Sequence, residues 1–249
     1  LKNKKAINLY KNSGFVFYKK TKKNIFFYRD YFKCKIAIGT AQLGSKYGIA
    51  NKSGKIKKNE MKKIICAASN NGMNLIETAH SYGSSEKILG SIKISGMNVV
   101  TKLPTTNPQN KINEWMLSTV KNSIKNLRVK RLHGLLVHKS SQLNGKVGIK
   151  IYKSLLEMKK KKLINKIGVA VYTVRELRNL ISKFKFDIVS IPFNIFDQRF
   201  KNSGQIKKLK KLDVEVYVRS VFLQGLLLMN KQERPNIFQK WKNMFYKWD

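Results

Sequence analysis

From residue 35 onward, apolar residues alternate between short runs suited to buried strands and longer stretches with helical spacing. Residues 35–39 read as a first strand. Met61, Ile64, Ile65 and Ala68 then fall at i, i+3, i+4 and i+7, the stripe of a helix that buries one face. Further strands are predicted at 74–78, 99–103, 134–138, 166–172, 187–191 and 215–221. Between them lie a short helix over 84–92 opened by a serine cap, and helices carrying Leu117, Val120, Ile124 and Leu127, then Ile151, Leu155 and Met158. The lysine run 159–162 reads as a solvated helix end that suits the C-terminal dipole. Thr173 and Glu176 have capping-box spacing and open a helix with Val174, Leu177, Ile181 and Phe184 on one face. The last crossover carries Ile206, Leu209 and Leu212. This alternation is that of βα units and a parallel sheet with helices outside, an α/β class. Seven strands are countable, one more helical stretch covers 236–248, and the pattern stops before an eighth strand.

Residues 1 to about 33 break the rhythm. Ala6, Leu9 and Tyr10 suggest a short helix with Gly14 as its C-cap, and 15–18 with 25–32 read as the two strands of a hairpin. The expected layout is a small helix–hairpin appendage over 1–34 and a main domain over 35–249.

Composition changes this picture little. Apolar residues make up 42% of the 249, enough for a packed domain. The formal net charge is +39, which would suit a polyanionic partner. However, only eight of the 52 basic residues are Arg, and the lysines are spread along the chain rather than gathered in a stripe. With no nucleic-acid-binding motif either, a basic drift in composition explains the charge, and neither specific nucleic acid nor membrane is expected as a partner. Cys34 and Cys66 sit in apolar sequence with no metal-ligand spacing, so no disulfide framework and no metal site are expected. No run is long and apolar enough to span a bilayer, and a cytoplasmic protein is the expectation.

Chemistry enters where polar residues interrupt the strands. In a (β/α)8 barrel the reacting groups sit at the C-terminal ends of the strands. The second predicted strand ends in Glu77 and leads through Ala79, His80 and Ser81 to Tyr82; the third ends in Lys102; the fourth ends in His138. A carboxylate, a phenol, an ammonium and an imidazole at one mouth suit carbonyl reduction. The alkoxide left by hydride transfer needs a proton, which Tyr82 can give if Lys102 lowers its pKa. Glu77 would hold Lys102 charged, and His138 would polarise the carbonyl oxygen.

The segments GTAQLGSKYGIAN at 39–51, GMNLIETAHSYGSSEKILG at 72–90, VVTKLP at 99–104, LLVHK at 135–139, IGVAVYT at 167–173, IPFNIFDQR at 191–199 and RSVFLQGLLL at 219–228 together resemble the aldo-keto reductase family. The resemblance spans residues 35 to about 230. It implies a TIM (β/α)8-type barrel, here C-terminally truncated at about seven strands, and a nicotinamide cofactor, NADPH or NADH. It also implies a small-molecule carbonyl substrate, with Tyr82 as proton donor, Lys102 as its pKa-lowering partner and His138 as the carbonyl-orienting residue. Where the family has Asp, this chain has Glu77, so the longer carboxylate is expected to retract or to displace Lys102. Gly39, Thr40 and Ala41 match the family's first cofactor-contacting turn. Ser190 stands where the family often has Gln, and Ala170 where it often has Ser. Arg219 and Ser220 lie where the strand end meets the cofactor, so Arg219 could pair with phosphate; a salt bridge to Asp197 or Glu215 is the alternative. The missing last strand would also remove the basic residues with which the family grips the 2′-phosphate.

The segment NKKAINLYKNSGFVFY at 3–18 resembles the end of a GNAT-type N-acetyltransferase, through Asn3, Ala6, Leu9, Tyr10, Gly14 and Phe15. That implies a piece of an acetyltransferase–reductase fusion, a pairing that hints at amino-sugar metabolism. Two functions therefore remain: NAD(P)H-dependent reduction of an aldehyde or ketone, possibly on a sugar derivative, and a catalytically impaired barrel that binds a ligand or partner. The pattern does not specify an oligomeric state.

Overall fold

The computed structural model describes residues 15–20, 25–29 and 35–247, apart from Lys93, Ser95, Asn107 and Gln109. The N-terminal strands β1 (Phe15–Lys20) and β2 (Ile25–Arg29) pair antiparallel, with Phe17 opposite Phe27, so the expected hairpin is present. The helix expected around Ala6 to Tyr10 lies outside the described residues.

Seven parallel strands form the main sheet in chain order: β3 (Ala37–Gly39), β4 (Leu75–Glu77), β5 (Asn98–Lys102), β6 (Leu132–Val137), β7 (Ile164–Ala170), β8 (Ile188–Pro192) and β9 (Glu215–Arg219). The crossovers carry α1 (Ala41–Gly44), α2 (Lys58–Asn70), α3 (Ser85–Ser91), α4 (Ile112–Leu127), α5 (Gly145–Lys160), α6 (Val174–Ile181), α7 (Arg199–Asn202) and α8 (Gln205–Lys211), and α9 (Lys242–Tyr246) follows the sheet. The sheet curls into a partial barrel of TIM type, with β3 and β9 as its edges among the described residues.

Register assigns the faces, because residues paired across a parallel ladder point the same way. Lys102 pairs with Leu136, Leu136 with Gly168, and Gly168 with Ile188. These positions face inward, where Val100, Leu136 and Ile188 form a small buried cluster flanked by Leu75 and Tyr217. The interior is tight: a Cβ at Gly134 would stand 2.8 Å from Ile188 Cδ1, so any side chain there would have to displace the Ile188 tip. The alternate positions, among them Ile76, Val99, Leu135 and Val169, face outward into the larger core shared with the helices. At about 25 cal/mol per Å² of apolar surface removed from water, this two-sided burial is the main term holding the sheet.

Local signals account for the element ends. Glu176 N–H donates to Thr173 Oγ1 at 3.1 Å, and Tyr172 N–H donates to Glu176 Oε2 at 2.8 Å, a cap of the expected kind. Ser84 occupies the N-cap of α3 but makes no side-chain cap bond. Several expectations are corrected. Ile64 and Leu212 are exposed: the buried stripe of α2 is the narrower Met61, Ile65 and Ala68, and Leu212 falls past the end of α8. Lys159 is not merely solvated, since its ammonium bonds both Asp187 oxygens at 2.8 and 2.7 Å. Cys66 is exposed on the outer side of α2. The stretch over 236–248 is not one helix but a 3-10 segment, Asn236–Trp241, followed by α9.

The edges are joined above the sheet. Ala50 N–H, in the loop after α1, donates to Gln224 O in the loop after β9 at 3.2 Å, and Lys52 pairs with Glu233 at 2.6 Å. No helix among the described residues is long and apolar enough to cross a membrane.

Candidate active site

Following the inward face to the C-terminal strand ends places Glu77, Lys102, His138, Ala170, Ser190 and Arg219 around one mouth. Glu77 lies level with Val100, Lys102 one step beyond it, His138 one step past Leu136, and Arg219 one step past Tyr217, the partner of Ser190. Two-residue spacing thus carries six polar or small side chains from separate strands to a common rim.

Tyr82 arrives by a turn between β4 and α3, and that turn is held from three sides. Tyr82 N–H donates to Ala79 O at 3.0 Å, Ser85 N–H donates to Tyr82 O at 3.1 Å, and His80 N–H donates to Lys102 O at 3.1 Å. Beneath it lies a buried hydroxyl cluster: Ser85 Oγ sits 3.1 Å from Thr78 Oγ1 and 3.0 Å from Thr40 Oγ1, which itself donates to Glu77 O at 3.1 Å. Backbone closeness completes the support. A Cβ on Gly44 would collide with the Tyr82 carbonyl, and one on Gly83 would stand 2.7 Å from Gly44 O. Gly83 also has φ +57°, which glycine adopts without strain.

Lys102 is the hub. Only 3% of its side chain is exposed, and its Nζ donates to Tyr82 Oη at 3.1 Å while forming an ion pair with Glu77. The longer Glu77 side chain is paired with Lys102, which keeps its bond to Tyr82. The His138 ring stands edge-on to Tyr82, with centroids 6.2 Å apart, and its Nδ1 lies 3.2 Å from Ser81 Oγ.

The electrostatics revise one expectation. Tyr82 is pushed up to about 12, first by burial and then by Tyr47 and Tyr172, with Arg219 opposing. Lys102 is drawn down to about 7 by burial and by the Arg219 guanidinium. Burial outweighs any lowering that Lys102 gives, so the Tyr82 phenol stays above its ordinary value. His138 is lowered to about 4, chiefly by burial and then by Lys102, which leaves a neutral imidazole at neutral pH.

Of the cofactor candidates, Gly39 stands where an added Cβ would meet nothing within 4 Å, and Ala41 is half-buried at the same rim. The Thr40 hydroxyl is instead spent on the support beneath Tyr82. Ser190 is buried one step below Arg219. Ser220 adopts φ +60°, and its carbonyl is anchored by the buried Asn194 Nδ2 at 3.3 Å. The salt bridge considered for Arg219 is not formed: Asp197 pairs with Arg199 at 2.8 Å and Glu215 pairs with Lys166. Arg219 donates to Val171 O at 2.8 Å and lies 3.9 Å over the Tyr172 ring, while its buried Nε–H finds no acceptor. Ser81, Gly44, Asn194 and Tyr172 are contributors that strand patterning misses, since all lie outside the strands, Gly44 at the end of α1. Among the described residues no cluster of His, Cys, Asp and Glu could hold a metal ion.

Comparison with known proteins bears on the family and the fold. The model described as the aldo/keto reductase family matches residues 35–248. Similar solved structures include a glycerol dehydrogenase from Gluconobacter oxydans, at 20% identity and TM-score 0.64 over 95% of this chain and 75% of that one. An aldo-keto reductase from Bacillus halodurans in its holo form gives 16% and 0.63 over 89% and 71%. An aldo/keto reductase from Klebsiella pneumoniae in complex with NADP and acetate gives 14% and 0.61 over 84% and 71%. At these identities the likeness establishes the fold. No curated protein matches the chain. The acetyltransferase resemblance of residues 1–34 finds no support in these comparisons, and the family match begins just after them.

Proposed function

Because the chain belongs to the aldo/keto reductase family, whose members are NAD(P)H-dependent oxidoreductases acting on small-molecule carbonyls, we propose that it reduces an aldehyde or ketone with Tyr82 as the proton donor. The observation that carries this is Lys102 Nζ, held by Glu77 and 3.1 Å from Tyr82 Oη, beside the His138 ring.

The residues present fit a nicotinamide cofactor: the rim at Gly39 is open, Ala170 and Ser190 are small, and the Arg219 guanidinium keeps a donor without an acceptor. Gly39, Ala41, Ser190 and Ser220 would line it, with the Thr40 side chain acting from below. When bound, the cofactor supplies a hydride to the carbonyl carbon. Tyr82 holds the balancing proton at Oη. Its high pKa is no obstacle, because an alkoxide is the conjugate base of an acid weaker still than a phenol at about 12 and takes the proton downhill. Lys102, held by Glu77, is placed to bond the phenolate left behind. With Ser81 Oγ–H donating to Nδ1, the neutral His138 ring keeps its proton on Nε2 and donates it to the carbonyl oxygen, which polarises the bond.

The substrate class favoured is a small aldehyde, a sugar aldehyde among them. The cofactor is NADPH or NADH, and the reducing cytoplasm is the compartment in which a free exposed Cys66 persists. The boundary between 34 and 35 divides appendage from reductase unit. Consumption of NADPH over an aldehyde panel tests the reading: Tyr82→Phe is expected to remove turnover while leaving cofactor binding intact. NADPH binding without any turnover in the parent chain would favour the ligand-binding alternative.

A further inference from the structure

We infer that the chain carries a second binding site, at the end of the sheet opposite the candidate mouth, and that it takes a small organic phosphate, a phosphate monoester on a partly apolar body. The inference does not depend on the reductase reading. Each crossover helix hands the chain back to a parallel strand at this end, so residues from separate helix-to-strand turns meet there. Arg128, Lys130 and Arg131 fall in the turn between α4 and β6, Asn98 opens β5, and His133 and Asn165 are the second residues of β6 and β7. All six line one cavity of about 470 Å³, a volume in the range of small-molecule sites.

Backbone geometry sets its walls. Arg128 caps α4 in a left-handed conformation, φ +54°, and its N–H donates to Lys125 O at 3.3 Å, which turns the chain into β6. A Cβ at Gly90 would collide with Asn126 O, so α3 and α4 touch backbone to backbone beside the cavity.

The lining is cationic on one side and apolar on the other. Among the described residues no carboxylate lines the cavity, and no ion pair engages Arg128, Lys130 or Arg131. Glu215, the carboxylate whose charge His133 feels, is paired with Lys166. Met97, Val99 and Val129 supply the apolar wall. Two guanidinium forks and an ammonium suit a phosphate monoester, close to a dianion at neutral pH with three acceptor oxygens, better than a singly charged carboxylate. Asn98, Asn165 and the His133 ring add neutral donors, and the apolar wall receives the organic body. A nucleic-acid backbone rides over a basic surface and has no use for a cavity, which makes a small ligand the occupant.

With the full chain, calorimetry measures the binding of phenyl phosphate, inorganic phosphate and phenol, with and without saturating NADPH. Phenyl phosphate should bind more tightly than inorganic phosphate, and phenol should not bind. NADPH should change phenyl phosphate affinity by less than about twofold, because the mouth lies at the other end of the strands, beyond the reach of screened charge. Arg131→Met is expected to weaken phenyl phosphate by about 10- to 100-fold, the worth of one charge-assisted hydrogen bond. Arg131→Lys keeps the charge without the fork and should fall between the two, which checks that the loss is not misfolding. Lys207→Met, on an exposed position of α8, removes the same charge and should weaken binding by less than about twofold, which separates the cavity from general adhesion of anions to a chain of net charge +39. Four results would each overturn the inference: no binding of phenyl phosphate to the parent chain, its displacement by NADPH, an equal loss in Lys207→Met, or tighter binding of oligothymidylate that Arg131→Met weakens equally.

Discussion

The middle of the sheet and its two edges are built from the same kind of strand and end up in different environments. In β5 and β8 nearly every residue is buried, because helices cover one face and Val100, Leu136 and Ile188 fill the other. In β3 and β9 most residues remain exposed or half-exposed, including Val218 at 43%, since each has a ladder on one side only. The chemistry is divided along the same line. Lys102 and His138 stand on the buried arc, whereas Gly39, Arg219 and Ser220 stand at the edges. Proton handling needs fixed distances, and the packed centre supplies them; binding groups tolerate the looser rim.

The largest consequence is for stability. Leu136→Ala empties the centre of the inner cluster and should cost about 2–5 kcal/mol, whereas Val218→Ala at the edge should stay within about 0.5 kcal/mol. Urea or thermal unfolding of the two variants measures the contrast. Comparable losses from both would mean that β9 is as fully packed as β6, and the comparison would fail.

The second concerns the one place where an edge element reaches the centre. Gly44 closes α1, directly after edge strand β3, and touches the backbone of the turn that carries Tyr82. A methyl group there must push against a carbonyl rather than a flexible side chain. Gly44→Ala should therefore shift Tyr82 by about an ångström and lower turnover on the order of 100-fold, with helix and strand content unchanged by circular dichroism. A variant with parental kcat/KM would show that the turn is placed by the Ser85 and Ala79 bonds alone.

How much of this was legible in the sequence follows from the same division. Strands β4 to β6 are short apolar runs that end in, or just before, a polar residue, so both their existence and the candidates Glu77, Lys102 and His138 could be read directly. The Thr173 cap was legible because its partners are neighbours in the chain. What escaped depends on contacts between distant loops: the Gly44–Gly83 approach, Ser81 beside His138, and the committed partners that leave Arg219 free of a carboxylate. Ile64 misled because a helical stripe four residues wide and one three residues wide look alike until the opposing surface is known. The sign of the Tyr82 shift escaped for another reason. Burial of Tyr82 outweighs any lowering that Lys102 gives, and burial is a property of the assembled interior.

The smallest expected effect is a pH dependence set by that interior. In the folded chain His138 titrates at about 4, while an imidazole in the unfolded chain titrates near 6.5. As pH falls below 6.5 the unfolded chain binds the proton first, so stability declines between about 6.5 and 4 and this group adds no further slope below that. Above 6.5 both states are neutral and the contribution is fully present. A parallel series of melting temperatures for the parent chain and His138→Gln should therefore run level above 6.5 and diverge below it, with the parent losing more. Nuclear magnetic resonance of the His138 ring protons should place its midpoint near 4. A midpoint near 6.5 would show that water reaches this ring as freely as it reaches β9, and that the arc carrying Lys102 and His138 is no drier than the sheet's edge.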